Sequence, residues 1–192
     1  MAVMGTSTVA EAHGAARKRD HPQQTQTGAV LLRSWFVQIR AGRDDDRTFI
    51  TEMAQLACVI EDRPLPGPDA VEVIEMLPQT SDAVLVATDD TGNPIGATWW
   101  HFPQPPLMRA TDGSPIPEMI VAVTKAEQGH GIGTALIRTL VAKAASEFDQ
   151  LALNVHIRNP AARLYSRTGF HVAGTGRGPL GVAMVKALRQ AP

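Results

Sequence analysis

One stretch constrains the fold more than any other: VAVTKAEQGHGIGTALIRTL, in which a β-rich run at Glu118 to Val123 passes through a glycine-punctuated turn into residues at helical spacing. Leu136, Ile137, Leu140, Ala144 and Phe148 fall on one face and predict a helix from about Ile132 to Phe148. A turn of this kind can aim unpaired amides and the positive end of a helix dipole at an anion. Gly131 and Gly133 would let a phosphate approach the backbone closely, and Gln128 could add a neutral hydrogen bond. The same turn can equally be a plain connection. Two familiar phosphate loops are excluded: no Gly-Lys-Ser/Thr ends the turn, and Gly129, Gly131 and Gly133 have the wrong spacing for a dinucleotide fingerprint.

The flanking segments supply a sheet and helices for both of its faces. Leu31 to Arg40 predicts a first strand, and Asp44, Asp45 and Asp46 a helix start, since carboxylates suit the positive end of a helix. That helix should run toward Ile60 with Phe49, Met53, Leu56 and Ala57 as its apolar stripe, then stop at Pro64, Pro66 and Pro68. A short second helix is expected from about Pro68 to Met76. Ala83 to Thr88 and Ile95 to Phe102 read as a hairpin closed at Asp89 to Pro94. The proline-rich stretch up to Pro117 reads as a mobile loop that meets substrate, or simply as a connection. Leu151 to Ile157 predicts a strand, Ala161 to Thr168 a helix, and Phe170 to Ala173 with Leu180 to Leu188 a final strand pair. The sum is a mixed α/β order with a central sheet and helices against both faces.

Composition narrows the partners. The chain has 192 residues, of which the first 30 or so are rich in Ala, Gly, Thr, Gln and charge; they predict a disordered tail, or a short helix across Val9 to Lys18 that docks on a partner. Residues 31–192 then form one domain. Eighteen basic against 19 acidic residues leave a net charge of -1, with no broad attraction to nucleic acid or anionic lipid. No apolar run reaches the ~20 residues needed to span a bilayer, and the N-terminus lacks a signal-peptide core. The single cysteine, Cys58, allows neither an intrachain disulfide nor a cysteine-based zinc cluster, so a cytoplasmic setting is expected, with Cys58 buried. No metal is expected: His13 and His21 sit in the tail, and His101, His130, His156 and His171 form no compact ligand motif. Arg163, Arg167, Arg177, Lys186 and Arg189 share a C-terminal region without Asp or Glu, which either attracts a polyanion or solvates the surface.

Gln128, Gly131 and Gly133 match the Arg/Gln-x-x-Gly-x-Gly/Ala turn of the GNAT superfamily of acyl-CoA-dependent N-acyltransferases, with Val121 and Val123 preceding it in register. Asn159, Ala162, Leu164, Tyr165, Gly169 and Phe170 match the family's Asn, Leu-Tyr and Gly-Phe arrangement, in the right order. The resemblance covers about residues 118 to 173. It implies a largely antiparallel central sheet flanked by helices, with a splayed parallel strand pair, and acetyl-CoA as cosubstrate. By the same resemblance, Gln128, Gly129, His130, Gly131, Ile132, Gly133 and Thr134 surround the pyrophosphate. His130 departs from the family's usual Lys or Arg and reads as a solvent-facing loop residue, and Arg138 as a surface one. Val121 and Val123 line the cofactor arm, the Val123 amide reaches the thioester oxygen, and Tyr165 approaches the sulfur, where it can protonate or hydrogen-bond the leaving thiolate. Asn159 holds the cofactor or caps the helix of Tyr165.

The acceptor implied is a primary amine, on a small molecule or a protein, that attacks the thioester directly. It must lose a proton, and Glu118 at the start of the splayed strand is the first candidate base, with His101 and Glu75 in reserve. Trp99 and Trp100 should point to opposite faces, one into the core and the other toward the acceptor, with Phe102 on the face of Trp100. A noncatalytic acyl-CoA-binding regulator and a transferase of longer acyl groups are the rival readings. A homodimer is expected from the resemblance alone.

Overall fold

Residues 83 to 102 fold as the expected hairpin in the computed structural model, which describes residues 37–59, 64–80 and 82–189. Strands β2 (Val84–Thr88) and β3 (Pro94–His101) pair antiparallel. Asp89 fastens their turn by accepting the N–H groups of Thr91 at 3.0 Å and Asn93 at 2.8 Å. Strand β1 (Gln38–Ala41) adds to β2. The expected tail, the Val9 to Lys18 helix, His13, His21, Leu31 to Phe36 and Ile60 lie outside the described residues.

Four more strands, β4 (Glu118–Val123), β5 (Gln150–His156), β6 (His171–Thr175) and β7 (Gly181–Ala187), complete a seven-stranded sheet ordered β1-β2-β3-β4-β5-β7-β6. Every neighbouring pair is antiparallel except β4 and β5. This is the largely antiparallel sheet with one parallel pair that the resemblance implied.

The helices depart from expectation mainly at their ends. Asp44–Asp46 form a single 3-10 turn, and the α-helix proper, α1, is Arg47–Cys58. Asp46 is drawn inward as an anchor: its carboxylate accepts from Arg40 at 2.6 and 2.8 Å and from the Arg43 amide at 2.7 Å. The second helix, α2, is only Val71–Ile74, because Ala70 is still extended after the proline run. Helix α3 (Ile132–Ala144) stops short of Phe148, and α4 is Ala162–Arg167.

Strand alternation sorts the apolar side chains between the two faces. On one, Leu136, Ile137 and Leu140 of α3 meet Ile95, Trp100, Met119, Leu151 and Leu153. On the other, Ile50, Met53 and Ala54 of α1 and Val73 of α2 meet Val86, Ala97, Trp99 and Ile120. Each fully buried large side chain contributes about 2 kcal/mol on the usual area scale. The loop between β3 and β4 is packed: Leu107, Met108, Ala110 and Ile116 cover Ala152 and Val185 on the α1 side of the sheet. Among the described residues no helix is long and apolar enough to cross a membrane.

The tryptophans correct one expectation. They do point to opposite faces, yet both are buried, Trp99 wholly and Trp100 with 2% exposed, so neither lines an acceptor surface. The Trp99 indole N–H donates to the Met76 carbonyl at 2.8 Å, and Trp100 meets Phe148 edge to face with centroids 5.3 Å apart. Phe102, at the rim, packs on the same Phe148 ring at 5.8 Å.

Candidate active site

The parallel pair begins and ends within one residue. Glu118 registers with Ala152, whose N–H donates to the Pro117 carbonyl at 2.9 Å, and no further residues of β4 and β5 pair. On its other side β4 stays paired with β3 from Glu118 to Val123, and the Thr124 N–H donates to the Ile95 carbonyl at 2.9 Å. In an antiparallel ladder alternate residues turn their backbone groups toward the partner. Thr124, Ala122 and Ile120 therefore face β3, and the amides of Val121 and Val123 face the gap toward β5. The sequence expectation named these two valines, and the splay leaves their backbone edges without a strand partner on that side.

The glycine turn lies at the open end of this gap. Gly129 and Gly131 both have φ of 84°, a left-handed conformation that costs an L side chain roughly 1–2 kcal/mol. Nothing lies within 4 Å of where a Cβ on either would sit, so open space lies beside both glycines. Gly131 caps α3 without any side-chain hydrogen bond. The first intrahelical bond runs from the Ala135 N–H to the Gly131 carbonyl at 3.1 Å, which leaves the N–H groups of Ile132, Gly133 and Thr134 without helical partners. Gln128 does something the sequence did not suggest: its side-chain N–H donates to the Val123 carbonyl at 3.2 Å, fastening the turn to the end of β4. His130 is exposed, with Nδ1 3.7 Å from a Glu127 carboxylate oxygen.

Gly133 joins these parts to Tyr165's helix. A Cβ there would stand 3.4 Å from Leu164 Cδ2 and 3.8 Å from Val123 Cγ2, so β4, the start of α3 and α4 meet at one point. Asn159 shapes the entry to α4 by accepting the Ala161 N–H at 2.9 Å on its side-chain oxygen. The Tyr165 ring packs edge to face with Phe170, centroids 6.4 Å apart. Burial pushes its hydroxyl up to about 12, and that hydroxyl has no hydrogen-bond partner among the described residues.

On the α1 face, a polar cluster occupies the point where β4 and β5 part. Glu118 is 2% exposed, although it begins its strand. Arg177, in the turn between β6 and β7, donates from Nη1 to both Glu118 oxygens, at 2.6 and 2.8 Å. Burial raises the Glu118 pKa, and the guanidinium opposes the rise. His101 is directly opposite Glu118 in register and also buried. Burial first, then the Arg177 charge, lower His101 to about 4, against a hydrogen bond that its ring donates to the Glu75 backbone carbonyl; its Nε2 has no partner. Glu75 itself has an exposed side chain. Cys58, expected buried, is only partly so; burial raises its thiol to about 11.

Residues 80–172 match a family model described as the acetyltransferase (GNAT) domain. The resemblance to the GNAT superfamily is thereby shown over that region. No curated protein matches it significantly, but many solved structures share the GNAT fold. The protein yncA of Salmonella typhimurium, solved with acetyl-CoA, superposes with a TM-score of 0.60 at 23% identity, over 81% of this chain and 95% of that one. A phosphinothricin acetyltransferase of Sinorhizobium meliloti, also in complex with acetyl-CoA, gives 0.59 at 19% identity, over 79% and 88%. A GCN5-related N-acetyltransferase from Kribbella flavida gives 0.58 at 23% identity, over 79% and 97%. At these identities the likeness is one of fold. Against that GNAT frame, Arg177 is the residue that sequence reasoning passed over. It counted only as one of five scattered cations, and its partner stands 59 positions away.

Proposed function

We propose that this GNAT-like protein transfers the acetyl group of acetyl-CoA to a primary amine by direct attack, in a cytoplasmic setting. The observation that carries the reading is the convergence of the Val121 and Val123 backbone edges, which have no strand partner toward β5, the glycine turn with the α3 amides that lack helical partners, and the helix of Tyr165. The residues fit such a cosubstrate: two left-handed glycines with open space beside them and three unpaired helix amides suit a diphosphate, and a strand edge suits an amide-bearing arm. Bound acetyl-CoA supplies a thioester whose carbonyl carbon forms the new C–N bond while its C–S bond breaks.

The chain's own groups divide the remaining work. Gln128, Gly129, His130, Gly131, Ile132, Gly133 and Thr134 hold the diphosphate, chiefly through backbone amides. Val121 lines the arm, and the Val123 amide donates to the oxygen on which negative charge grows. Asn159 keeps α4 in place. Tyr165 Oη keeps its proton and donates a hydrogen bond to the departing sulfur. With the hydroxyl at about 12 and an ordinary alkyl thiol near 8.5, complete proton transfer would be uphill by roughly 5 kcal/mol. Glu118 accepts the proton that the acceptor ammonium must lose, and its raised pKa makes it a stronger base than a solvated carboxylate.

The test is a screen of primary amines with acetyl-CoA that reads free thiol and product mass together. A product heavier by one acetyl group supports transfer. Thiol release without that product means hydrolysis, and binding without either supports the noncatalytic regulator. Repeating the screen with longer acyl thioesters separates acetyl from longer-chain transfer.

A further inference from the structure

Arg177 is exposed on a turn yet tied to three separate segments. Its Nη1 spans both oxygens of buried Glu118 on β4, its backbone N–H donates to the Asn154 side-chain oxygen on β5 at 2.9 Å, and its Nη2 reaches toward the Pro105 carbonyl of the β3–β4 loop at 3.4 Å. The turn is built to bring it there. A Cβ at Gly176 would strike Asn154 Oδ1 and the backbone of Gly181 and Val182, so only glycine lets the turn close this tightly against β5. Among the described residues Arg177 from the β6–β7 turn is the one cation that acts on Glu118; His101, opposite it on β3, is neutral, and Ala152, opposite it on β5, is uncharged. A carboxylate with 3% of its side chain exposed cannot draw on water for its charge.

We propose that Arg177 is a positioning residue of the acceptor side, which holds Glu118 in its ionised form and fixes the orientation of its carboxylate where β4 and β5 part. The inference rests on the reading of Glu118 as the proton acceptor, because Arg177 acts on the reaction only through that base. A carboxylate that must be charged to take a proton, in a place where burial favours the neutral acid, depends on one nearby cation. Arg177 can supply this from the surface because its stem spans the turn while its head reaches the buried pair.

The test is a carbon NMR titration of the full chain labelled at glutamate side-chain carboxyl carbons, with the Glu118 signal assigned by its loss in Glu118→Gln. In Arg177→Met the Glu118 midpoint should rise by about one pH unit or more relative to the unsubstituted protein, and in Arg177→Lys it should return most of the way. An unchanged midpoint in Arg177→Met, with or without a fall in Tm, would overturn the proposal. So would a moved midpoint in an active protein whose pH profile of kcat/KM keeps its acidic limb in place, since an ion pair that only fastens the turn shifts the titration and the Tm but not the rate profile. The titration itself needs no turnover. A shifted midpoint in a protein that acetylates no amine would uphold Arg177's role and sink the transferase reading, and an unshifted one in an active enzyme would do the reverse.

Discussion

The Tyr165 hydroxyl combines a half-buried ring, a pKa near 12 and no hydrogen-bond partner among the described residues, a pattern suited to donating a hydrogen bond to something not part of the chain. Removing the hydroxyl leaves the ring against Phe170 and removes only the donor. Tyr165→Phe should therefore cut kcat by about a hundredfold while leaving the Kd for acetyl-CoA within about twofold. Equal turnover in the two proteins, measured with an acceptor from the amine screen, would remove Tyr165 from the chemistry. His101 belongs to the same scale. With its pKa lowered to about 4 it stays neutral throughout the physiological range, so no activity change near pH 6.5 should trace to it, and His101→Gln should leave the position of the acidic limb unchanged.

At the scale of elements, the entry to α1 shows how a local charge pair fixes a helix. Arg40 on β1 holds Asp46 through two hydrogen bonds, and the Arg43 amide adds a third. Arg40 is the first cause of Asp46's lowered pKa. A carboxyl lowered in the folded state stabilises the fold above its unfolded value, about 3.9, and that stabilisation disappears as pH falls through the lower folded value. Asp46→Asn should cost about 2 kcal/mol at pH 7 by chemical denaturation, with the gap to the parent protein closing as the pH is taken below about 4. A gap independent of pH would show that shape, and not charge, anchors the helix. Three consecutive aspartates read in sequence as a helix start; what no local pattern could reveal is that one of them turns inward to a strand six residues earlier.

Across the whole molecule, what could be read from sequence follows the range of the interactions. The hairpin, β4 and the start of α3 are set by alternation, turn residues and periodicity within a few positions, and they fold where those signals place them. The end of α3 was misjudged because Phe148 keeps its apolar contact without staying helical, packing on Trp100 and Phe102 beyond the last turn. Both tryptophans are core residues because α2 and Phe148 cover opposite faces of the same strand, and neither cover is visible from β3 alone. In the candidate site, Val121, Val123, the glycines and Tyr165 were marked by the resemblance of their motifs. The Glu118–Arg177 pair was not, because it joins the first residue of β4 to a turn near the C-terminus. The account as a whole depends on acetyl-CoA entering the gap between β4 and β5 with its diphosphate on the turn before α3. Isothermal titration calorimetry of acetyl-CoA against the parent protein, Gly131→Ala and Gly131→Glu tests this most directly, because both variants strain the same left-handed position and only the second places a negative charge beside the diphosphate. The account predicts one site in the parent, modest weakening in the alanine variant and loss of at least about tenfold more affinity in the glutamate variant; equal binding by the two variants, or none by the folded parent, would contradict it.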